Sequence, residues 1–173
     1  QPISPYAATK KACELLAYTY HHLHGLRCTG LRFFTVYGPA GRPDMAPFLF
    51  TRNILRGRPI TQFGDGSTLR DYTYIDDIVA GVVAALDRAY PYEIFNLGNC
   101  RPIRLDDFIH SIAAAVGAAP AIERKPMQPG DVVMTCADTT KAHALLGYTP
   151  RTSFADGIRD FVAWYRAHEY LYA

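Results

Sequence analysis

The sequence predicts an α/β fold organised on a parallel sheet. Residues 29–37 and 93–97 are continuous runs of apolar, β-branched and aromatic side chains, the pattern of strands buried on both faces. Stretches with helical apolar spacing alternate with them, and the first run ends in GPAGRPDM, a Gly- and Pro-dense loop. Nearly half of the 173 residues (49%) are apolar, enough for a core. The net charge of +2, with both signs interspersed, offers no basic tract for nucleic acid or an anionic membrane. No window is apolar and long enough to span a bilayer, and there is no charged-then-apolar leader. A cytoplasmic protein is expected. Cys13, Cys28, Cys100 and Cys136 lack paired spacing, which argues against a zinc site or disulfide framework.

Residues 5–24 read as the first helix, with a Ser-Pro start and Gly25 as its stop. His21, His22 and His24 near its end lack metal-ligand spacing and suit the negative end of the helix dipole, so no metal is expected. A helix over 45–56, a strand at ITQF (60–63), a turn at GDGS and a strand in RDYTYI follow. Asp76 is placed to cap a helix whose apolar face is Ile78, Val79, Val82, Val83 and Leu86. After the strand at 93–97, residues 105–116 form a helix with Phe108, Ile109, Ile112 and Val116 inward, then 121–125 a short strand and 129–131 a loop. Asp138 caps a short helix ending at Gly147. The last helix carries the core stripe Phe154, Ile158, Phe161, Val162 and Tyr165, with Trp164 as a packing residue.

Tyr6 and Lys10 stand one helical turn apart and therefore share a face. An ammonium beside a phenol favours the phenolate, which makes such a tyrosine an acid/base group. Thr35 and Arg42 fall at the C-terminal edge of the first strand, where ligands of open α/β sheets bind. On the residues alone, Thr35 serves equally well as a β-branched packing side chain.

The segments SPYAATKKACELLAYTYHHLHGL and TGLRFFTVYGPAGRPDM, continued by FGDGSTLRDYTYIDDI, FNLGN and PGDVVMTCAD, resemble the extended short-chain dehydrogenase/reductases that act on nucleotide sugars, and among them the UDP-glucuronate 4-epimerases. The resemblance implies the C-terminal part of such an enzyme: a Rossmann-like parallel sheet remnant plus a small α/β substrate-binding domain. Residues 1–40 would end the dinucleotide-binding domain and 41–173 would mainly bind the UDP-sugar, with 76–99 returning a helix and strand to the Rossmann sheet. In the family a preceding half carries the glycine-rich turn that holds the NAD pyrophosphate, together with a catalytic Ser/Thr. No such turn occurs in these residues, so the chain alone is expected to be inactive.

The resemblance makes Tyr6 the base and Lys10 its partner, with Lys10 also hydrogen-bonding the nicotinamide ribose. Thr35 would meet the sugar carboxylate, where decarboxylases and other epimerases commonly have Asn. Arg70, then Arg42, would bind the diphosphate; Phe63 with the backbone of Thr61 and Gln62 would hold the uracil; Asp131 would accept from the ribose hydroxyls. Gln128 stands where some relatives have arginine, which suits the glucuronate enzymes. A UDP-sugar partner is implied, with a homodimer or docking onto the preceding half. The alternatives are an isolated UDP-sugar binding fragment, or a related decarboxylase or 4,6-dehydratase.

Overall fold

In the computed structural model, which describes residues 2–128 and 130–172, Ser4 opens helix α1 (Pro5–His24): its hydroxyl accepts the Ala7 N–H at 3.1 Å. Gly25, at φ 65°, closes the helix by donating its own N–H to the His21 carbonyl. These local signals give the predicted span.

The predicted strand at 29–37 is two strands, β1 (Cys28–Phe33) and β2 (Thr35–Tyr37), and they take different partners. β1 pairs in parallel with a later strand at Tyr92–Leu97, from Cys28 opposite Tyr92 to Phe33 opposite Leu97. β2 pairs in parallel with Tyr72–Tyr74. The strand ending at Tyr37 is therefore not laddered to the one ending at Leu97, as a single uninterrupted strand would have required. The break lies at Phe34, whose N–H donates to Leu97 O (3.1 Å), while the next residue, Thr35, donates to Asp71 O (3.0 Å). Burial on both faces is not realised in β1 either, where Phe33 is 52% exposed. Apolar periodicity marks a strand that can be covered; it does not say how much of the cover these residues supply.

Helix α2 (Ala46–Leu55) leads into β3 (Ile60–Phe63), then β4 (Leu69–Arg70) and β5 (Tyr72–Tyr74). Helix α3 (Ile75–Arg88) begins one residue before the predicted cap. Tyr74 holds the N-cap position without a side-chain hydrogen bond, and Asp76 sits in the first turn, favourable to the helix dipole. Its predicted apolar face is also turned. Ile78 is buried, but Val79, Val83 and Leu86 are 48%, 49% and 75% exposed, and the inward face is Asp77, Ile78, Gly81 and Ala85. Specific contacts outweigh hydrophobic count here. Asp77 accepts the N–H groups of Arg151 and Thr152 (2.9 and 3.0 Å), and a Cβ on Gly81 would stand 2.9 Å from both Leu97 and Tyr148.

β6 (Tyr92–Leu97) completes the β1 ladder, and β7 (Ile103–Arg104) pairs antiparallel with β4. Helix α4 (Leu105–Val116) buries the four predicted residues and ends at Gly117. β8 (Ile122–Lys125) pairs in parallel with β3. In α5 (Thr140–Leu146) the cap position belongs to Thr139; Asp138 lies one residue earlier, and its carboxylate accepts the Thr140 N–H at 3.0 Å. Ser153 caps α6 (Phe154–His168). Ile158, Phe161, Val162 and Tyr165 of that helix are buried, and Trp164 stacks on Phe161 and His168 as a packing residue.

The larger core gathers α2, α4 and α6 against β5. Tyr72 stacks on Phe108 at 4.6 Å with the rings within 4° of parallel, and burial pushes its hydroxyl up to about 12. A smaller core joins Ile78, Phe95, Leu97, Leu146 and Tyr148 beneath the β1–β6 ladder. Among the described residues no helix is long and apolar enough to cross a membrane.

Candidate active site

Tyr6 and Lys10 do share a face of α1. The Lys10 ammonium lies 5.7 Å from the Tyr6 ring centroid, and Tyr6 is 71% exposed. The pair borders a groove of about 910 Å³ between α1 and the β1–β6 ladder, lined also by Cys13, Glu14, Arg32 and Tyr92. Glu14 fixes the helix to the strands. Arg32 Nε and a terminal guanidinium nitrogen donate to its two oxygens at 2.5 and 2.8 Å, and Lys11 donates at 2.7 Å. The Arg32 hydrogen bonds hold the Glu14 carboxyl down to about 2 against the opposing effect of partial burial. On the same turn, the Tyr92 hydroxyl donates to the Glu14 carbonyl at 3.1 Å. Sequence reading missed this clamp, although an arginine inside the apolar β1 run was its signal.

The other predicted contacts lie along the strand ends. Arg70 donates to Asp131 at 3.4 Å, which brings together two residues 61 positions apart in the chain. Pro129, of the predicted 129–131 loop, lies outside the described residues. On β3 the strand alternation leaves Thr61 and Phe63 half-buried while Gln62 is fully buried, its amide directed at Gly64 O (3.5 Å).

Thr35 opens β2 half-buried. Arg42 is exposed and grips Asp44 through two hydrogen bonds of 3.1 and 2.5 Å. That pairing raises the guanidinium and lowers Asp44; the Tyr6 phenol lies near enough to Arg42 to add to the rise. Arg42 lines a separate small pocket with Val36, Gly38, Met45 and Phe161, outside the groove that Tyr6 and Lys10 border.

Asp71, which sequence reading passed over, is the most connected carboxylate among these strand ends. Fully buried, it accepts the N–H groups of Asn99 (2.8 Å), Cys100 (3.1 Å) and Ala137 (2.8 Å). The signal available in sequence was an acid set between Arg70 and the apolar β5.

A parallel α/β ladder with a one-turn Tyr/Lys pair on its flanking helix defines the extended short-chain dehydrogenase/reductase class. Within that class the chain belongs to the NAD dependent epimerase/dehydratase family, whose model matches residues 1–98. It is 48% identical over 164 residues to a UDP-glucuronate 4-epimerase of Thermodesulfobacterium geofontis, an alignment covering 94% of this chain and 50% of that one. It superposes on a UDP-glucuronic acid 4-epimerase from Bacillus cereus, solved with UDP-glucuronic acid and NAD, with a TM-score of 0.92 and 36% identity over 97% of this chain and 54% of the other. A dTDP-glucose 4,6-dehydratase from Streptomyces venezuelae, with NAD and TYD bound, gives a TM-score of 0.92 at 30% identity over 99% of this chain and 53% of that one. The chain spans about half the length of the curated relatives it matches.

Proposed function

We propose that this chain carries the acid/base helix and the UDP-sugar contacts of an NAD-dependent 4-epimerase interconverting UDP-glucuronate and UDP-galacturonate. The observation that carries the reading is the exposed Tyr6/Lys10 pair bordering the groove, together with the Arg70–Asp131 pair and half-buried Thr61 and Phe63 on β3. The residues present fit the nicotinamide ribose end of NAD, since an ammonium and a phenol on one face suit hydroxyl partners. NAD held there would supply the hydride chemistry at the sugar 4 position.

The chain's own residues do the rest. Tyr6 accepts the proton of the 4-hydroxyl and later gives it back, and Lys10 stabilises the phenolate while hydrogen-bonding the ribose. Arg70 and Arg42 offer planar, permanently charged forks to the diphosphate. Phe63 supplies an apolar face to the uracil, and Asp131 accepts from ribose hydroxyls. The Thr35 hydroxyl donates to the sugar carboxylate without bringing a full positive charge to it.

Calorimetric titration of the chain with UDP, UDP-glucuronate and UDP-glucose tests the reading. UDP should bind at one site, UDP-glucuronate more tightly than UDP-glucose, and Thr35→Val should erase that preference. Equal affinity of the two sugars in the unaltered chain would remove the glucuronate assignment. Likeness to the 4,6-dehydratase supports a second reading with the same NAD chemistry and a different sugar; tighter binding of dTDP-glucose than of UDP-glucuronate would favour it.

A further inference from the structure

Three other stretches of chain converge on Asp71: Thr35 at the start of β2, Asn99 and Cys100 after β6, and Thr135 to Ala137. Its carboxylate, 0% exposed, has no cationic partner among the described residues and is satisfied by backbone: Oδ1 accepts from Asn99, and Oδ2 accepts from Cys100 and Ala137. Its own N–H donates to the Thr135 hydroxyl at 3.1 Å, and its carbonyl accepts the Thr35 N–H at 3.0 Å. The strap from Val133 to Ala137 is held along β4 as well, with Leu69 N–H donating to Val133 O (2.9 Å) and Thr135 N–H donating to Leu69 O (3.1 Å). Two residues before that strap stands Asp131, which receives Arg70, the immediate neighbour of Asp71.

The fit around this carboxylate is close. A Cβ on Gly98 would stand 2.9 Å from Asp71 Oδ2 and 2.4 Å from Ala137 Cβ, so only glycine lets the β6 end approach. Cys100, at φ 58°, takes the left-handed backbone that turns its N–H toward the same oxygen.

The geometry points to Asp71 as a positioning residue of the nucleotide-sugar site: it sets Arg70, Thr35 and the strap that follows Asp131 relative to one another and touches no ligand itself. This rests on the UDP-sugar reading of the preceding subsection. A carboxylate is required because it accepts at both oxygens. An amide of the same shape would turn an N–H₂ group toward at least one backbone N–H.

Asp77 supplies a matched control. It too is a buried carboxylate that clamps two backbone N–H groups, those of Arg151 and Thr152, but none of the residues assigned to the site. Asp71→Asn, Thr135→Val and Asp77→Asn should be compared with the unaltered chain well below their unfolding midpoints, by amide hydrogen exchange without ligand and by UDP titration. Expected for Asp71→Asn is at least tenfold faster exchange at Asn99, Cys100 and Ala137, with about tenfold weaker UDP binding. Thr135→Val should weaken UDP about threefold, and Asp77→Asn should leave it within twofold. If Asp71→Asn fails to fold, Thr135→Val decides.

Unchanged UDP affinity in Asp71→Asn and Thr135→Val, or an equal loss in Asp77→Asn, would overturn the inference. Arg70→Ala separates the two levels: if it weakens UDP while Asp71→Asn and Thr135→Val do not, the binding reading stands and the positioning role fails. If the unaltered chain binds no UDP, both fall.

Discussion

Helices α1 and α6 begin alike and end in opposite circumstances. Each starts from a serine that caps its own first turn, yet α6 buries five residues and α1 none. Leu15, Leu16 and Leu23 of α1 are 62%, 58% and 66% exposed, whereas Ile158, Phe161, Val162 and Tyr165 of α6 are at most 2% exposed. Caps and spacing decide that a helix forms; burial depends on what is there to cover it. The helix bearing Tyr6 and Lys10 is held to the remainder by a few specific contacts, Glu14 with Arg32 and Tyr92 with Glu14, while α2, α4 and α6 share a packed core.

The largest effect should come from that core. Phe108→Ala, removing a fully buried ring stacked on Tyr72, is expected to cost about 3–5 kcal/mol in chemical denaturation. A loss under about 1 kcal/mol would break the contrast between the two regions. Arg70→Ala comes next, weakening UDP by about 1–3 kcal/mol in calorimetry with little change in stability. Unchanged affinity would take Arg70 out of the site.

Glu14→Gln gives a pH signature. The folded carboxyl titrates near 2 instead of its ordinary 4.5, so its charge stabilises the fold above about 4.5, and that contribution is lost as pH falls toward 2. The stability gap between the unaltered chain and Glu14→Gln, measured by thermal unfolding, should be constant at neutral pH and close across this window. A gap independent of pH would mean that the Arg32 contact does not anchor α1. The smallest effect is expected from Leu23→Ala, within about 0.5 kcal/mol in the same denaturation. A loss above 2 kcal/mol would show that α1 is covered after all.

Local chemistry was legible in the sequence to different depths. The spans of α1 and α4 followed from caps, glycine stops and apolar spacing, because those signals act within a turn or two. The split at Phe34 was not legible, since a partner switch depends on where Leu97 and Asp71 arrive from distant parts of the chain. The inward face of α3 was misread for a similar reason: Asp77 and Gly81 are buried by a hydrogen-bonded segment and a close approach, which apolar counting scores against them. Of the candidate site, the Tyr6/Lys10 face followed from spacing, and Arg70 and Asp131, named separately, meet in the fold. Asp71 and the Glu14–Arg32 clamp escaped because their partners are backbone groups or lie across the groove.

The residues proposed to contact the UDP-sugar lie in this chain, whereas no glycine-rich turn for a pyrophosphate occurs in the sequence. The most direct measurement is the NAD released on denaturing the purified chain, read together with turnover of UDP-glucuronate and binding of UDP. The expected result is UDP binding without stoichiometric NAD and without turnover. Bound NAD with epimerisation by the 173-residue chain alone would contradict it, because a complete dinucleotide site would then exist without the glycine-rich turn.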